Sequence, residues 1–349
     1  MPLIRTALAA AFTLVSLSAV AQYPDKQVKI IVPYPPAGTT DILARLIAAK
    51  LTDRMKQPFV VENRPGAGGA IGTVVVAKSP ADGYTLLMGT VNTHGINTAI
   101  IKNLPYDAIR EFYPVTIIGS TPNVLAVNPS VPAKTLAELL ALARAKPGSL
   151  NFGSTSPGGS PHMSGELLKV MAQVDIAHIP YKGAGPMLVD LIGGQIQMGF
   201  DNLPSSIGHI RSGKIRGIAV TTLKRFPGAP ELPTMTESGV PGYELSAWFG
   251  LLAPAATPKT VVDALYSNIS AILKSPGMDK QLLDLGAEVG GNTPEAYAAQ
   301  IVSDVEKWRK VVAVTGAKVE WATAWISHTP LPSPWASPGQ AESICTLPC

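Results

Sequence analysis

Cysteine, histidine and charge are all scarce in this sequence, and each scarcity excludes a class of function. The only two cysteines among 349 residues are Cys345 and Cys349, at the C-terminal end, so the fold has no disulfide framework. The five histidines stand at positions 94, 162, 178, 209 and 328. Their spacing fits no metal-ligand pattern, so we expect neither a metal nor another cofactor.

Charged residues are few and mixed along the chain. They make up 15% of the sequence, and the formal net charge is +4. Lys and Arg do not form the basic clusters that nucleic-acid binding requires, so no nucleic-acid partner is expected. A chain of this length with 46% hydrophobic residues can bury a sizeable core and is predicted to divide into two lobes.

Motifs of enzymatic catalysis are also missing. The sequence has no Walker A motif, no H-E-x-x-H motif and no G-x-S-x-G nucleophile elbow. The glycine-rich run 66–72 departs from a dinucleotide fingerprint, because Ile71 stands where the third glycine is needed. We therefore predict that the chain is not an enzyme.

The N-terminus has the composition of a secretory signal peptide. Arg5 precedes an apolar stretch over 7–20, and Ala19-Val20-Ala21 offers a small-residue cleavage site before Gln22. The pattern predicts a cleavable signal over 1–21 and hence an exported protein. The alternative is an uncleaved anchor, but the stretch is short for a membrane span of roughly 20 residues.

Short apolar runs alternate with helical patterns, which is typical of an α/β fold on mostly parallel sheets. The run Val74-Val75-Val76 and those at 86–88, 125–127, 196–200 and 215–220 are interpreted as core elements, mostly strands. A last helix is predicted after Thr293-Pro294, ending near Gly316.

Two strand-loop-helix passages stand out. The first leads from the strand 28–32 through a Pro/Gly/Thr loop into a helix near Asp41. The second is similar in design, with Ser160 as a predicted N-cap and Pro161 at the first helical position. The buried stripe of this second helix is predicted to be Met163, Leu167, Val170 and Met171. Helix N-termini expose unpaired N–H groups that bind anions, although the same residues also occur in ordinary loops.

Several blocks together resemble the solute-binding proteins of tripartite tricarboxylate transporters, also called Bug or TctC-like receptors. The resemblance covers roughly residues 23 to 320. It rests on the order of the blocks 23–26, 31–34, 62–69, 79–86, 180–183 and 200–202, which read YPDK, IVPY, ENRPGAGG, SPADGYTL, PYKG and FDN.

The resemblance implies a periplasmic, two-domain (type II-like) binding protein that captures a small organic acid in a cleft and closes like a flytrap. Domain 1 would combine 22–121 with 247–320, and domain 2 would span 122–246. The implied partners are the large and small transmembrane permease subunits, or a sensor protein, and a monomer is expected.

The resemblance also implies ligand-binding positions. The first loop would hold a ligand carboxylate, and further contacts would come from both domains. The implied residues are Tyr34, Ala37, Gly38, Thr39, Asp41, Ala67, Gly68, Thr90, Asn92, Ser154, Thr155, His162 and Asp201.

Two features of the loops bear on the ligand. Many relatives carry Pro-Gly-Gly where this chain has Pro36-Ala37-Gly38, so one position is expected to have lost access to positive φ. The loops 33–41, 153–162 and 201–206 contain no Lys or Arg. Recognition by an Arg clamp is therefore not expected, and a mono- or dicarboxylate, aliphatic or aromatic, is the predicted ligand, with Tyr34 as an apolar wall.

Two alternatives remain at this stage, and the C-terminal segment is interpreted separately. A secreted serine hydrolase could use a serine of the 154–160 loop with His162, although no acidic residue is evident to orient that histidine. Asp201-Asn202 could face the cleft or only form a turn. The last segment, 321–349, is interpreted as a mostly unstructured extension with no part in binding.

Overall fold

The computed structural model describes residues 23–316. The predicted signal peptide and C-terminal extension lie outside the described residues. Within 23–316 the chain forms ten strands and ten α-helices, with a short 3-10 turn over Ala67–Gly69 and a π-helical turn over Asn92–Ile96. None of the helices in this range combines the length and the hydrophobicity needed to cross a bilayer.

The strands are β1 (Val28–Val32), β2 (Phe59–Asn63), β3 (Thr85–Thr90), β4 (Phe112–Val127), β5 (Asn151–Ser154), β6 (Ala177–Pro180), β7 (Met198–Asn202), β8 (Arg216–Val220), β9 (Ser246–Pro254) and β10 (Glu288–Val289). The helices are α1 (Thr39–Met55), α2 (Ala70–Ala77), α3 (Asn97–Ile100), α4 (Leu136–Ala145), α5 (Ser160–Ala172), α6 (Ala184–Ile192), α7 (Leu203–Arg211), α8 (Lys259–Leu273), α9 (Met278–Asp284) and α10 (Pro294–Thr315).

The strands pair in the order β2-β1-β3-β9-β4-β7-β5-β6, while β8 and β10 also pair with β4. Strand β4 is 16 residues long and belongs to two groups of strands. Its residues 112–122 pair with β9, and its residues 123–127 pair with β7. We call the strands β1, β2, β3, β9 and β10 the first group and β5, β6, β7 and β8 the second group.

The predicted α/β fold is confirmed, and the sheet is mixed. The pairs within β1–β3 and within β5–β7 are parallel, as expected for strands joined through helices. Strands β4 and β9 pair antiparallel with their neighbours. The cause is that the chain passes from one group to the other through β4 and returns through β9.

The interior of the first group is almost wholly apolar. Ile30, Leu86 and Leu252, on three adjacent strands, are fully buried, and the buried side chains of α1 and α8 belong to the same core cluster. Strands covered by helices on both faces are expected to be such continuous apolar runs.

Two local predictions were wrong. The run Val74-Val75-Val76 lies in helix α2 and not in a strand; tertiary packing has overridden the β propensity of valine. In α5, Val170 and Met171 are exposed by 42% and 37%, whereas Leu168 is buried. The last helix is as predicted, because Thr293 caps α10 and Gly316 ends it.

Candidate functional site

A cavity lies where the two groups of strands meet. It contains about 490 Å³ of empty space, part of it open to solvent. One wall comes from the first group and its helices, and the other from the second group. The lining residues are Tyr34, Pro35, Gly38, Thr39, Thr40, Thr90, Asn92 and Phe249 on the first wall, and Thr155, Ser156, Ser160, Pro161, Gly183, Ala184, Asp201 and Asn202 on the second.

Four helices begin at this cavity. They are α1, α5, α6 and α7. Each adds its first residues or its N-cap to the lining, as Gly38–Thr40, Ser160–Pro161, Gly183–Ala184 and Asn202. Helix N-termini carry a partial positive charge and free N–H groups, so four of them around one cavity favour a bound anion.

The loop before α1 is fixed by Asp41. One oxygen of its carboxylate accepts hydrogen bonds from the backbone N–H of Ala37 at 3.0 Å and from Nε of Arg45 at 2.9 Å. The other oxygen accepts from Nδ2 of Asn63 at 2.9 Å. Burial alone would raise the pKa of Asp41, but these hydrogen bonds and the charge of Arg45 lower it, so the carboxylate stays ionised and holds the loop.

Ala37 has a φ of +65°. The sequence led us to expect that this position had lost access to positive φ, and that expectation was wrong. The left-handed conformation costs a residue with a Cβ roughly 1 to 2 kcal/mol. The hydrogen bond from Ala37 to Asp41 is one interaction that offsets this cost.

The second loop is fixed by His162. Its Nδ1 accepts a hydrogen bond from the backbone N–H of Gly158 at 3.0 Å, so Nε2 carries the proton of the neutral ring. Helix α5 begins at Ser160 with Gly159 as its N-cap, one residue before the N-cap that the sequence predicted. The loop is thereby held with Thr155, Ser156 and Ser160 in the cavity wall.

Three contacts join the two walls. The Oδ1 atom of Asn92 accepts a hydrogen bond from the backbone N–H of Ser160 at 2.8 Å. The hydroxyl groups of Thr39 and Ser205 are 3.2 Å apart. Gly183, with a φ of +115°, lies so close to Pro35 that a Cβ would be 3.1 Å from its Cγ.

Asp201 is the penultimate residue of β7 and supplies the only acidic side chain among the described lining residues. Its Oδ2 accepts hydrogen bonds from the hydroxyls of Ser205 and Ser206, both at 2.6 Å, and its Oδ1 accepts from the backbone N–H of Asn202. Burial raises the pKa of Asp201 to about 6, although these hydrogen bonds act in the opposite direction. No Lys or Arg is among the described lining residues.

Tyr34 forms part of the first wall. Its hydroxyl is 3.2 Å from Oγ1 of Thr90 and 3.5 Å from the carbonyl oxygen of Gly68. Burial raises the pKa of Tyr34 to about 12, so the hydroxyl remains neutral. Tyr34 thus contributes an aromatic ring to the first wall, while its hydroxyl group is held by Thr90 and Gly68.

Thirteen residues were predicted for the site, and the structure places seven of them in the cavity lining. These seven are Tyr34, Gly38, Thr39, Thr90, Asn92, Thr155 and Asp201. The six others are not among the lining residues, and they are Ala37, Asp41, Ala67, Gly68, Ser154 and His162. Asp41 and His162 hold the two loops, and Gly68 accepts hydrogen bonds from Tyr34 and Asn97.

Several lining residues were missed. The sequence analysis had placed Ser160 and Pro161 at a helix start and Asn202 in a polar pair with Asp201. Gly183 is the last residue of the block 180–183. Phe249 could not be found from local sequence, because β9 reaches the cavity only by pairing with β3 and β4.

The arrangement of serine and histidine does not support the hydrolase alternative. The hydroxyl of Ser154 is 2.8 Å from Nε2 of His178, and the ring of His178 stacks on His162 at 3.9 Å between centroids. Burial is the main cause that lowers the pKa of His178, to about 3. Within 23–316, Ser160 bonds to Asn123 and Asn202 and not to a histidine.

The described residues also offer no metal centre. Between residues 23 and 316, no three side chains of His, Cys, Asp or Glu come together as ligands of a metal ion.

Comparison with known proteins agrees with this geometry. The family profile described as "Tripartite tricarboxylate transporter family receptor", TctC, matches residues 43–316. Protein BugT of Bordetella pertussis is 37% identical over 299 residues, which are 85% of this chain and 92% of BugT.

Two solved structures are similar over most of the chain. R. palustris Rpa4515 with adipate is 42% identical, with a TM-score of 0.83, and the match covers 85% of this chain and all of that one. MatC (Rpa3494) from Rhodopseudomonas palustris with bound malate is 32% identical, with a TM-score of 0.78, and covers 83% of this chain and all of that one.

Proposed function

The chain belongs to the tripartite tricarboxylate transporter receptor family, and we propose that it captures a small carboxylate between two lobes and delivers it to a membrane transporter. Membership confirms the family that the sequence blocks indicated. It also confirms that the chain is a solute-binding receptor and not an enzyme. The hydrolase alternative has no support in the family or in the positions of its serines.

One observation carries the proposal for the ligand: four helix N-termini and no basic side chain surround the cavity. The dipoles and N–H groups of α1, α5, α6 and α7 can stabilise one carboxylate. A heavily charged tricarboxylate would leave more negative charge uncompensated. A mono- or dicarboxylate, aliphatic or aromatic, therefore fits this lining best. The adipate and malate named for the two solved relatives belong to this class.

The proposed lobes are 22–121 with 247–320, and 122–246. Strand β4 passes from its pairing with β9 to its pairing with β7 between Pro122 and Asn123, and β9 begins at Ser246. A hinge at these two crossings would let the walls separate and close. Closing by a ligand requires that the ligand bind the closed state better than the open one.

A periplasmic location and delivery to the permease subunits of a tripartite transporter, or to a sensor protein, complete the proposal. The family membership and the predicted signal peptide support an exported monomer. Mass spectrometry of the protein from intact cells tests this part, because cleavage before Gln22 is expected. A mature chain that begins at Met1 would contradict it.

A thermal-shift screen of the mature protein tests the ligand class. A ligand that binds only the folded state raises the unfolding temperature. We expect stabilisation by members of a panel of mono- and dicarboxylates that includes adipate, succinate and benzoate. Neutral sugars and cationic amines serve as controls, and stabilisation by these alone would contradict the proposal. Small-angle scattering of the stabilised complex should show a smaller radius of gyration than the free protein if the lobes close.

A further inference from the structure

Asp201 places a carboxyl group in a cavity that is proposed to bind a carboxylate, and binding of an anion does not require such a group. Its side chain is the only carboxyl group of the described lining, the residue is 3% exposed, and no Lys or Arg is among the described lining residues. We propose that Asp201 takes up a proton when a carboxylate ligand is enclosed, so that the protein binds its anion together with a proton. This inference rests on the proposed function.

The surroundings of Asp201 contain hydroxyls and amides but no counter-ion. Ser205 and Ser206 donate to Oδ2, and the N–H of Asn202 donates to Oδ1. Three donors leave acceptor positions free on a carboxylate, which has about four. Ser205 also reaches Thr39 on the opposite wall, so Asp201 is joined to the contact that closes the cleft.

Titratable groups on the elements packed around β7 do not compensate this charge. They are His162, Glu166 and Lys169 on α5, Asp190 on α6, His209 and Arg211 on α7, Arg216 on β8, Tyr113 on β4, and Asp41, Arg45, Lys50, Asp53 and Arg54 on α1. Among the described contacts, none of them forms a hydrogen bond or an ion pair with Asp201. Several have other partners, such as Glu166 for Lys169 and Asp41 for Arg45.

Two carboxylates enclosed in one cavity cannot both stay ionised without a large cost, and one of them binds a proton. The positive ends of four helices favour the ionised form of the ligand. Asp201 is then the group that accepts the proton from solvent, and its neutral carboxyl can donate a hydrogen bond to a ligand oxygen. A ligand that brought its own cationic group to Asp201 would need no such proton.

The sign of the pH dependence follows. The pKa of Asp201 is about 6 in the closed protein without ligand, and a bound anion would raise it further. The affinity for the ionised form of the ligand should be constant well below pH 6, where Asp201 is protonated in both states. Above this value affinity should fall, by at most about tenfold per pH unit, until the pKa of the complex is passed.

Titration calorimetry measures the proton directly. Adipate is titrated into the full mature protein at about pH 7, where it is fully ionised, in phosphate and in Tris buffers, which differ in ionisation enthalpy. The slope of the observed enthalpy against the ionisation enthalpy gives the protons taken up. We expect uptake of between about 0.3 and 1 proton; succinate and hexanoate serve as further probes.

Two variants assign the proton to its site. In Asp201→Asn the slope should vanish and affinity should no longer depend on pH between about 6 and 8. Asp304→Asn is the matched control, because Asp304 is a partly buried carboxyl whose pKa is also raised by burial, but it lies outside the lining. Its proton uptake should equal that of the wild type. If Asp201→Asn does not fold, Ser206→Ala replaces it: loss of a donor raises the pKa of Asp201, so the fall in affinity should move to higher pH.

The outcomes distinguish a failure of this inference from a failure of the proposed function. Normal binding with no proton uptake, or uptake that survives in Asp201→Asn, would overturn the inference and leave the proposed function standing. Absence of binding by every acid at every pH would overturn the proposed function, and the inference with it.

Discussion

The side-chain oxygen of Asn92 lies 2.8 Å from the backbone nitrogen of Ser160 and accepts its hydrogen bond. Asn92 opens the π-helical turn after β3, and Ser160 opens α5 on the other wall of the cavity. A side chain from one wall thus satisfies an N–H group of the helix start on the other wall, so under the proposed closure this bond would form when the two walls come together.

Asn92→Ala should therefore weaken ligand binding. Loss of a buried hydrogen bond costs about 1 to 3 kcal/mol, which corresponds to a dissociation constant roughly 5 to 150 times larger. Calorimetry with the tightest acid of the panel measures the change. Asn128→Ala is the matched control, since Nδ2 of Asn128 donates a hydrogen bond to the carbonyl oxygen of Leu191 within the proposed lobe 122–246. This substitution should lower stability but leave affinity unchanged. An unchanged affinity in Asn92→Ala would show that this bond does not contribute to closure.

Ala37→Gly should stabilise the protein. Glycine adopts the φ of +65° found at Ala37 without a Cβ penalty, and the expected gain is up to about 1 kcal/mol in the free energy of unfolding after the greater entropy of the unfolded chain is counted. Urea denaturation measures it. Ala141→Gly, at an exposed position inside α4, should instead destabilise by about 1 kcal/mol. A loss of stability in Ala37→Gly comparable to that control would contradict the strained conformation.

Asp41→Ala should loosen the first loop. Its carboxylate binds Ala37, Arg45 and Asn63, so we expect about 1 to 3 kcal/mol less stability together with weaker ligand binding. The pKa of Asp41 is lowered in the folded protein. Its contribution is therefore present above the unfolded pKa, near 4, and is lost as the pH falls through the folded value. Asp53→Ala, at an exposed site of the same helix, is the control, and equal effects of the two variants would refute the anchoring role.

Because His94 is buried in its neutral form, the stability of the protein should fall at acidic pH. His94 is fully buried, and burial lowers its pKa to about 3. Below about pH 6.5 the unfolded chain binds a proton at this residue while the native protein does not, so stability falls by about 1.4 kcal/mol per pH unit. The difference in stability between the wild type and His94→Gln should then shrink by about 2 kcal/mol from pH 7 to pH 5. Urea denaturation at both pH values tests this, and a difference independent of pH would contradict a neutral buried His94.

Local sequence was sufficient to predict helix starts and caps, because these depend on the residue types at a few neighbouring positions. The helix starts near Thr39 and Ser160 were visible from glycine, threonine, serine and proline, and the cap at Thr293 was visible for the same reason. The three loops contain no Lys or Arg, and the described lining residues likewise include neither.

Features that depend on tertiary pairing could not be predicted. The sequence predicted two helix starts at the binding site, whereas the pairing of β7 with β4 and β5 brings α6 and α7 to the same cavity. Phe249 joins the lining through β9, which lies more than 150 residues from β3 in the chain. Ala37 shows the same limit, because its hydrogen bond to Asp41 accompanies a backbone conformation that its residue type disfavours.

The most direct test of the account is a comparison of a carboxylate with its neutral analogue. Titration calorimetry of the mature protein compares adipate with adipamide, its diamide, which keeps the chain length but has no charge and carries an NH2 donor in place of one acceptor oxygen of each carboxylate. If four helix N-termini bind an anion without a basic side chain, the acid should bind one to one and the diamide should bind at least 100-fold more weakly, a difference of about 3 kcal/mol. Equal binding of acid and diamide would contradict recognition of a carboxylate.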